Sequence, residues 1–497
     1  MAHDSALHLT LGHLRRHVQE SGVGSLLVPG IEPDWTARLG PAVNDSRAVV
    51  PGGLFVALQG EHTDGHRFIP DALARGASAL IVATLPAELP VKEAGVVTEN
   101  RQQPLSAIPA GSAALPIGRP VSSPVFWLTP DPLRALQNLA AWWRRQFPRL
   151  PVIGVTGSVG KTTAKDVLAA ALGALMPALA NPRSFNNEIG LPLTLLSLHG
   201  AHGAAILEMG IYDVGDIAFL SGIARQTIGV VLNVDAVHLE RAGSIERIAQ
   251  AKAEIVETLP PVGIAVLNHD DPRVRVMAAV APGRVLTFGL DAGADWRGVD
   301  LQPLADGLVL TLLRGGQRYP LRSNLPGRHH AYALLAAAAV MDALGFAPDE
   351  IIRALEAVPA HLARQRVLRC AGDLLVIDDT YNASPLSVLA ALDVLAAQPA
   401  LRRIAILADM LELGPLAEES HRRIGARAGE VADLVLAVGS LARYTAEAAG
   451  SHARHFEHKA ALRAALPDLL RAGDVLLVKG SRGMAMEEVV GWLCPLS

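Results

Sequence analysis

An octet of small and hydroxylated residues around one lysine constrains this chain more than any other feature. It reads Thr156-Gly157-Ser158-Val159-Gly160-Lys161-Thr162-Thr163, after a strand pattern at Val152–Val155 and before a helical pattern at Lys165–Leu175. A strand, a glycine-bearing loop and a helix N-terminus bind phosphate through backbone N–H groups, a lysine and a hydroxyl that ligates Mg²⁺. The motif is the variant TGxxGKTT, because Val155 stands where the general motif has glycine. The sequence therefore predicts a nucleoside triphosphate site rather than an ordinary polar turn.

Composition and charge exclude several classes of protein. The 497 residues, 50% hydrophobic and 19% charged, predict a globular chain of about three domains. The net charge is −4 without a basic tract, so no nucleic-acid partner is expected. Apolar runs stop short of the ~18–20 residues of a membrane span, and the N-terminus resembles no export signal, so we expect a cytoplasmic protein without a transmembrane segment. Cys370 and Cys494 are expected to be packing residues, not a disulfide or a zinc site.

The hydropathy pattern predicts an α/β fold in three domains. Residues 1–125 predict a small mixed α/β domain with a Pro- and Ala-rich insertion at about 84–125. In residues 126–365, strands alternate with helices, which predicts a central doubly wound parallel sheet that carries the phosphate-binding loop. Residues 366–497 repeat the alternation without such a loop. They predict a Rossmann-like α/β domain that presents substrate to the central one.

Three polar residues follow strand patterns in the central segment. Glu208 ends the apolar run 204–207, at the carboxyl end of a strand, where open α/β sheets bind ligands. His238 follows the next strand, and Lys252 lies on a predicted helix, Ser244–Leu259. Each residue type alone is common on solvated surfaces or in structural roles. Together with the loop, they indicate a metal-assisted phosphate site.

Several motifs in one order resemble the Mur ligases, the ATP-dependent amide-bond synthetases of peptidoglycan precursors. In the central segment they are the phosphate-binding loop, Asn186-Asn187-Glu188-Ile189-Gly190, Glu208-Met209-Gly210, Asn233 with His238, and Ala251-Lys252-Ala253-Glu254-Ile255. In the terminal segments they are Asp45-Ser46-Arg47, residues 51–58, Asp64-Gly65-His66, residues 378–383 and residues 479–483. The resemblance covers nearly the whole chain except about 84–125.

The resemblance implies ATP and Mg²⁺ as cofactors and assigns residues to them. The nucleotide would be bound by Thr156, Gly157, Ser158, Gly160, Lys161, Thr162, Thr163, His329, Arg364 and Asp379. A first Mg²⁺ would be held by Thr162 and Glu208, and a second by Lys252 and His238. Lys252 would serve as a carbamate formed with CO₂, because an ammonium has no lone pair. The catalytic residues would be Lys161, Asn186, Asn187, His238 and Lys252.

The resemblance also implies two small-molecule substrates. Ser46, Arg47 and Asp64 would bind a uridine nucleotide, and the peptide ends would meet Tyr381, Asn382, Lys479 and Arg482. The stretch Asp379-Thr380-Tyr381-Asn382 is similar to the family member that joins D-alanyl-D-alanine to UDP-N-acetylmuramoyl-tripeptide through an acyl phosphate. We expect such a ligase to be a monomer.

Three alternatives stay open to different degrees. A sibling ligase adds the third peptide residue, but the Asp-Asn-Pro-Arg of its diaminopimelate version does not occur in this chain. A folylpolyglutamate synthetase would share the loop but not Asp45-Ser46-Arg47. A non-catalytic nucleotide-binding protein would be favoured if Glu208, His238 or Lys252 were missing, and all three are present.

The chain departs from the family pattern at one motif that faces the nucleotide. Family members carry a pattern close to GRHNxxNALAA, whereas this chain has Gly327-Arg328-His329-His330-Ala331-Tyr332-Ala333. His330 and Ala333 thus replace two asparagines, one of which is associated with adenine in the family. We therefore expect this chain to recognise the base differently.

Overall fold

The computed structural model describes residues 7–28, 32–61, 63–86, 95–96, 124–235, 240, 243–362 and 365–494. By its internal contacts the chain forms two compact units. The first comprises Met1–Val152, Pro177–Met209 and Phe219–Arg225, and the second comprises Ile153–Met176, Gly210–Ala218 and Gln226–Ser497.

The N-terminal part of the first unit is a mixed sheet with helices. Its elements are α1 (Leu11–Ser21), β1 (Ser25–Val28), β2 (Ala42–Val43), β3 (Leu54–Val56), α2 (Ile69–Ala74), β4 (Ala79–Val82), β5 (Gly95–Val96), β6 (Val125–Leu128) and α3 (Pro132–Arg144). The described strands are ordered β2-β3-β4-β6-β1-β5. Strands β2, β3, β4 and β6 are parallel, and β1 runs antiparallel to both β5 and β6. Phe55, Leu80 and Phe126 fill a core on this sheet.

The central segment alternates strands and helices, as its pattern predicts. The elements are β7 (Val152–Thr156), α4 (Lys161–Gly173), β8 (Ala178–Ala180), α5 (Gly190–Leu195), β9 (Ala204–Glu208), α6 (Asp216–Ala224), β10 (Ile228–Val231), α7 (Ile245–Glu257), β11 (Ile264–Asn268), α8 (Pro272–Arg275), β12 (Arg284–Gly289), β13 (Trp296–Leu304), β14 (Gly307–Arg314), β15 (Gln317–Ser323), α9 (His330–Ala343) and α10 (Pro348–Glu356).

Two groups of these strands are parallel. In the second unit, β7, β10, β11 and β12 are parallel neighbours in that order, followed by β13 and an antiparallel meander through β14 and β15. In the first unit, β8 and β9 are parallel. All five residues of β7 are buried. A continuous apolar run is typical of a parallel strand that is covered on both faces. For this reason the sequence predicted β7 as a buried strand of the sheet.

The C-terminal segment forms a second α/β sheet. Its elements are β16 (Arg366–Cys370), β17 (Leu374–Asp379), α11 (Pro385–Ala397), β18 (Arg402–Ala408), α12 (Ala417–Val431), β19 (Leu434–Val438), α13 (Ala442–Ala449), β20 (Ala453–Phe456), α14 (Lys459–Leu469), β21 (Asp474–Lys479) and α15 (Glu487–Leu493). The order is β16-β17-β21-β18-β19-β20, parallel except for β16. Asp379 and Lys479 are register partners at the ends of β17 and β21, so this sheet places an acid beside a base at its carboxyl edge.

The structure corrects the expectation for the two cysteines and adds a short strand to the stretch predicted as a loop or insertion. Cys370 and Cys494, predicted to be separate packing residues, form a disulfide with a Cα–Cα distance of 4.9 Å. Their 124-residue separation hid this proximity, which depends on β16 and the end of α15 lying together. Gly95–Val96, inside the stretch predicted as a loop or insertion, pairs with β1, while most of 84–125 lies outside the described residues. No helix in the described part of the chain has the length and apolar character of a membrane span.

Candidate active site

The phosphate-binding loop is held in shape by the strand next to it. The Ser158 N–H donates to the Asn233 carbonyl at 3.0 Å, and the Asn233 side chain both accepts from the Val159 N–H at 2.9 Å and donates to the Val159 carbonyl at 3.0 Å. The Ser158 hydroxyl is bonded to the backbone of Asp235 in both directions, at 2.8 and 3.0 Å. Gly160 precedes α4 with φ 83°, a left-handed conformation that favours glycine. These bonds therefore fix the conformation of the loop.

Asn233 belongs to one of the family motifs, and the resemblance assigns it no role. Its position directly after the apolar run of β10, beside the strand that feeds the loop, was the available signal. The structure shows what the amide does: it replaces the hydrogen bonds that a backbone neighbour would supply to an irregular loop.

Lys161 and Lys252 lie near one another in the second unit. The Lys161 ammonium donates to the carbonyls of Gly157 and Ser158 at 2.7 and 3.2 Å, so it is folded over its own loop. Lys252, on α7, is only 1% exposed. Burial first, and then the positive charge of Lys161, hold the pKa of Lys252 well below its usual range. A lowered pKa favours the neutral amine, and that is the form able to react with CO₂.

Glu208 and the two predicted catalytic asparagines belong to the first unit. Glu208 is 2% exposed at the end of β9, and its Oε1 accepts from the Asn186 amide at 2.6 Å. Asn181, which the sequence motifs do not include, holds the Glu208 backbone. Its side chain accepts from the Glu208 N–H at 2.9 Å and donates to the Glu208 carbonyl at 3.1 Å. The Asn187 side chain accepts from the Gly190 N–H at 2.9 Å at the start of α5. Glu208 is thus a fixed, buried carboxylate.

The predicted metal ligands fall into separate groups. Thr162 and Lys252 lie in the second unit and Glu208 in the first, while His238 lies outside the described residues. Within the described ranges, no three histidine, cysteine, aspartate or glutamate side chains are grouped for a metal ion. Hydroxyl and carboxylate oxygens are the donors that Mg²⁺ prefers, and it commonly keeps waters and substrate phosphates as its remaining ligands. By residue type, Thr162 and Glu208 therefore fit magnesium.

A second polar cluster joins the Gly-Arg-His turn to the C-terminal sheet. Asp379 Oδ2 accepts from Lys479 at 2.8 Å and from the Gln365 amide at 3.2 Å. Burial, then His330 and Lys479, keep the pKa of His329 well below its usual range. His329 Nδ1 and Gln365 Oε1 are buried without a hydrogen-bond partner among the described residues. Unpaired buried polar atoms are costly, so this cluster fits a ligand that would satisfy them.

The imidazole of His330 is hydrogen-bonded within the fold. Its Nδ1 donates to the Pro326 carbonyl at 2.6 Å, and burial lowers its pKa to about 4, so the ring is neutral at pH 7. Ala333 is buried on the same helix, α9. Neither substitution in the Gly-Arg-His motif therefore introduces a charge near the cluster.

The predicted peptide-binding residues differ in exposure. Lys479 is 2% exposed, and besides Asp379 it donates to the Asn382 carbonyl at 2.8 Å, so it is an internal cation. Tyr381 is 48% exposed. Asn382 and Arg482 are exposed and adjacent, since Asn382 Oδ1 accepts from the Arg482 N–H at 3.3 Å. Arg364 lies outside the described residues.

The predicted uridine-nucleotide residues are mostly bonded locally. Asp45 caps the turn 46–48 and pairs with the exposed Arg47 at 2.8 Å, while Ser46 is buried. Asp64 caps the next turn and contacts His66 Nδ1 at 2.7 Å. The two turns present the same arrangement of a capping aspartate followed by a basic residue. Their binding role stays a prediction.

Comparisons with known proteins agree with this architecture over nearly the whole chain. The model of the Mur ligase middle domain matches residues 155–341, that of the Mur ligase glutamate ligase domain matches 363–482, and that of the Mur ligase family catalytic domain matches 43–118. The last range includes most of the stretch predicted to be an insertion.

Sequence relatives and solved structures give the same result. The chain is 36% identical to the UDP-N-acetylmuramoyl-tripeptide–D-alanyl-D-alanine ligase of Synechocystis sp., with 92% of each chain covered. It is 34% identical to the ligase of the same name from Escherichia coli, covering 91% of this chain and 93% of that one.

The crystal structure of MurF from Acinetobacter baumannii superposes with a TM-score of 0.81 at 27% identity, covering 98% of this chain and 99% of that one. MurF from Thermotoga maritima in complex with ADP gives 0.72 at 28%, covering 91% and 96%. The predicted three-domain α/β fold is confirmed, and the chain belongs to the Mur ligase family.

Proposed function

We propose that this Mur ligase joins D-alanyl-D-alanine to UDP-N-acetylmuramoyl-tripeptide, with ATP as the energy source. The relatives that match more than nine-tenths of the chain carry that name, and one matching MurF structure holds ADP. The observation that carries the proposal is the pairing of a preformed phosphate-binding loop with Lys252, a buried lysine of lowered pKa close to Lys161. A mere nucleotide-binding module has no need of such a lysine, because burial of an amine is costly.

The residues of the loop would stabilise the transferring phosphate. ATP supplies the γ-phosphoryl group that converts the substrate carboxylate into an acyl phosphate, which the amine of the dipeptide attacks with loss of phosphate. Lys161 would exchange its two loop carbonyls for phosphate oxygens. The N–H groups of the first turn of α4 would bind the same oxygens, while the N–H groups of Ser158 and Val159 stay bonded to Asn233. Because Asn233 already fixes the backbone of the loop, little backbone reorganisation is needed when charge develops.

We propose that magnesium is bound by Glu208, Thr162 and Lys252, with His238 as a further ligand. The fixed carboxylate of Glu208 and the buried hydroxyl of Thr162 are hard oxygen donors. For Lys252 we propose the carbamate. The lowered pKa supports it, since the neutral amine is the reactive form and the carbamate offers the oxygens that an ammonium lacks.

The C-terminal cluster is our proposed contact for the nucleotide ribose and the dipeptide. His329 Nδ1 and the Oε1 of Gln365, which donates to Asp379, are buried without a hydrogen-bond partner among the described residues, and this favours a hydroxylated ligand. The exposed Tyr381, Asn382 and Arg482 offer an aromatic face, an amide and a guanidinium, a set suited to a short peptide with a carboxylate. Lys479 would orient Asp379 and residues 379–382 through its hydrogen bonds to the Asp379 carboxylate and the Asn382 carbonyl.

The assay is phosphate release with UDP-N-acetylmuramoyl-tripeptide and Mg²⁺·ATP, with and without D-alanyl-D-alanine. The proposal expects release that depends on all three substrates and a new amide in the product. Incorporation of a free amino acid into the dipeptide precursor would transfer the assignment to the sibling ligase. ATP binding without turnover with any acceptor would favour the non-catalytic alternative.

We further infer that the protein acts as a monomer in the cytoplasm, where ATP and UDP-linked sugars are available. Sedimentation of the purified chain with its nucleotide tests the first inference, and cell fractionation tests the second.

A further inference from the structure

The carboxylate of Glu254 is buried and bonded to a segment far away in sequence. It is 7% exposed on α7, and its two oxygens accept from the N–H groups of Gly215 at 2.6 Å and Ala218 at 2.9 Å. These N–H groups belong to the start of α6, where the first turn of a helix has no internal acceptors. One carboxylate on α7 therefore caps another helix, with both of its oxygens used.

The segment 210–218 has further ties. Asp216 Oδ2 accepts from the N–H groups of Tyr212 and Asp213, at 2.7 and 2.8 Å, which closes the turn before α6. Arg247, also on α7, contacts Asp213 at 2.6 Å, but both side chains are more than half exposed. An exposed ion pair contributes little to stability. The hydrogen bonds that a buried carboxylate accepts from two N–H groups are strong and directional. Glu254 is thus the main link between α7 and this segment.

The same helix carries Lys252, two residues earlier. Helix α7 is also held next to β10: Gln226, two residues before that strand, donates to the Ile255 carbonyl at 3.3 Å, and a Cβ at Gly229 of β10 would come within 2.8 Å of the same carbonyl. Because α7 is held both by these contacts near β10 and by Glu254, it has little freedom to rotate. Such a rotation would move Lys252 relative to Lys161.

We propose that Glu254 is a positioning residue for Lys252: by capping the 210–218 segment it fixes the rotation of α7 and so the place of the lysine beside the phosphate-binding loop. The proposal rests on the proposed function, since it assigns Lys252 a part in the reaction. It gives Glu254 no contact with substrate or nucleotide.

The test compares Glu254→Gln with a control on the same helix. Glutamine retains the shape but presents an NH₂ group to one of the two N–H donors, so one bond is lost and one donor is left unpaired. Glu257→Gln removes an exposed charge one turn from Glu254 and should change nothing. Hydrogen exchange of the ligand-free proteins measures the 210–218 amides, and steady-state kinetics measure kcat and the KM for ATP.

In Glu254→Gln, we expect exchange of these amides to rise about tenfold or more, from the loss of one buried bond. We expect kcat to fall at least about tenfold with KM for ATP within about twofold, because the loop itself is held by Asn233. If Glu254→Gln does not fold, Glu254→Asp, which keeps the charge, carries the same comparison.

Faster exchange with unchanged kcat would overturn the proposal, and so would a fall in kcat without faster exchange. A wild-type protein that shows no turnover would refute the proposed function instead, and the exchange measurement on the free protein would still report the Glu254 link separately.

Discussion

Replacing Asn233 with leucine should weaken ATP binding without unfolding the protein. The Asn233 side chain makes two hydrogen bonds to Val159, at 2.9 and 3.0 Å, and they fix the middle of the phosphate-binding loop. Each neutral hydrogen bond contributes about 1 kcal/mol net, and somewhat more where a partly buried partner is left unpaired. Leucine has a similar volume but can form neither bond. The loop should lose about 2–3 kcal/mol of its preference for the binding conformation.

If that loss appears in nucleotide binding, the Kd for Mg²⁺·ATP should rise about 30- to 100-fold, at 1.4 kcal/mol for each tenfold change. At saturating ATP, kcat should change much less, because ground state and transition state both need the ordered loop. Titration calorimetry of Mg²⁺·ATP with the purified variant measures the Kd, and thermal unfolding confirms that the fold is kept.

Asn324→Leu is the matched control. The Asn324 amide also makes two hydrogen bonds, to the carbonyls of Glu356 and Val358, but at the end of β15. Its loss should lower stability by a similar amount and leave the Kd near the wild-type value. An Asn233→Leu protein that binds ATP within about threefold of wild type would refute the idea that this side chain preorganises the loop.

Three further predictions follow from the same structure. Lys161→Ala should keep the fold and lower kcat at least ~10²-fold, the scale for losing a preorganised charge at a phosphoryl group; near-normal turnover would remove Lys161 from the site. Lys252→Ala should be nearly inactive and partly restored by a small added carboxylic acid, whereas a fully active variant would exclude the carbamate. His17, 4% exposed against Trp127 and Trp142, has a pKa lowered to about 4 by burial and then by Arg145, from 6.5 when unfolded. Because folding disfavours protonation of His17, the contribution of this residue to the free energy of unfolding is complete above about pH 6.5. That contribution is lost as the pH falls towards 4, by up to about 3 kcal/mol. Urea unfolding followed by tryptophan fluorescence should show this loss in wild type and not in His17→Phe, and equal pH slopes would contradict it.

The sequence predicted those parts of the site that depend on local pattern. The phosphate-binding loop, β7 and Glu208 at the end of β9 could be placed because a strand end, a glycine turn and a helix start follow one another in the chain. Short pairings such as β5 and β8 have only two or three residues, too few for a hydrophobic period to identify them.

Residues that act through distant partners could not be placed in this way. Asn181, Glu254 and Gln365 are ordinary polar residues in sequence, and their roles exist only because folding brings them to Glu208, Gly215 and Asp379. The environment of Lys479 could not be predicted either: the resemblance implies a contact with the peptide substrate, and only the pairing of β17 with β21 shows that its side chain is buried against Asp379.

This chain is expected to form an amide between a UDP-linked tripeptide and D-alanyl-D-alanine at the expense of ATP. Mass spectrometry of the product from UDP-N-acetylmuramoyl-tripeptide, D-alanyl-D-alanine and Mg²⁺·ATP tests it most directly. We expect one UDP-linked pentapeptide and one phosphate for each ATP consumed, and no product when the dipeptide is omitted. A preference for a free amino acid acceptor, or ATP binding with no product from any acceptor, would contradict it.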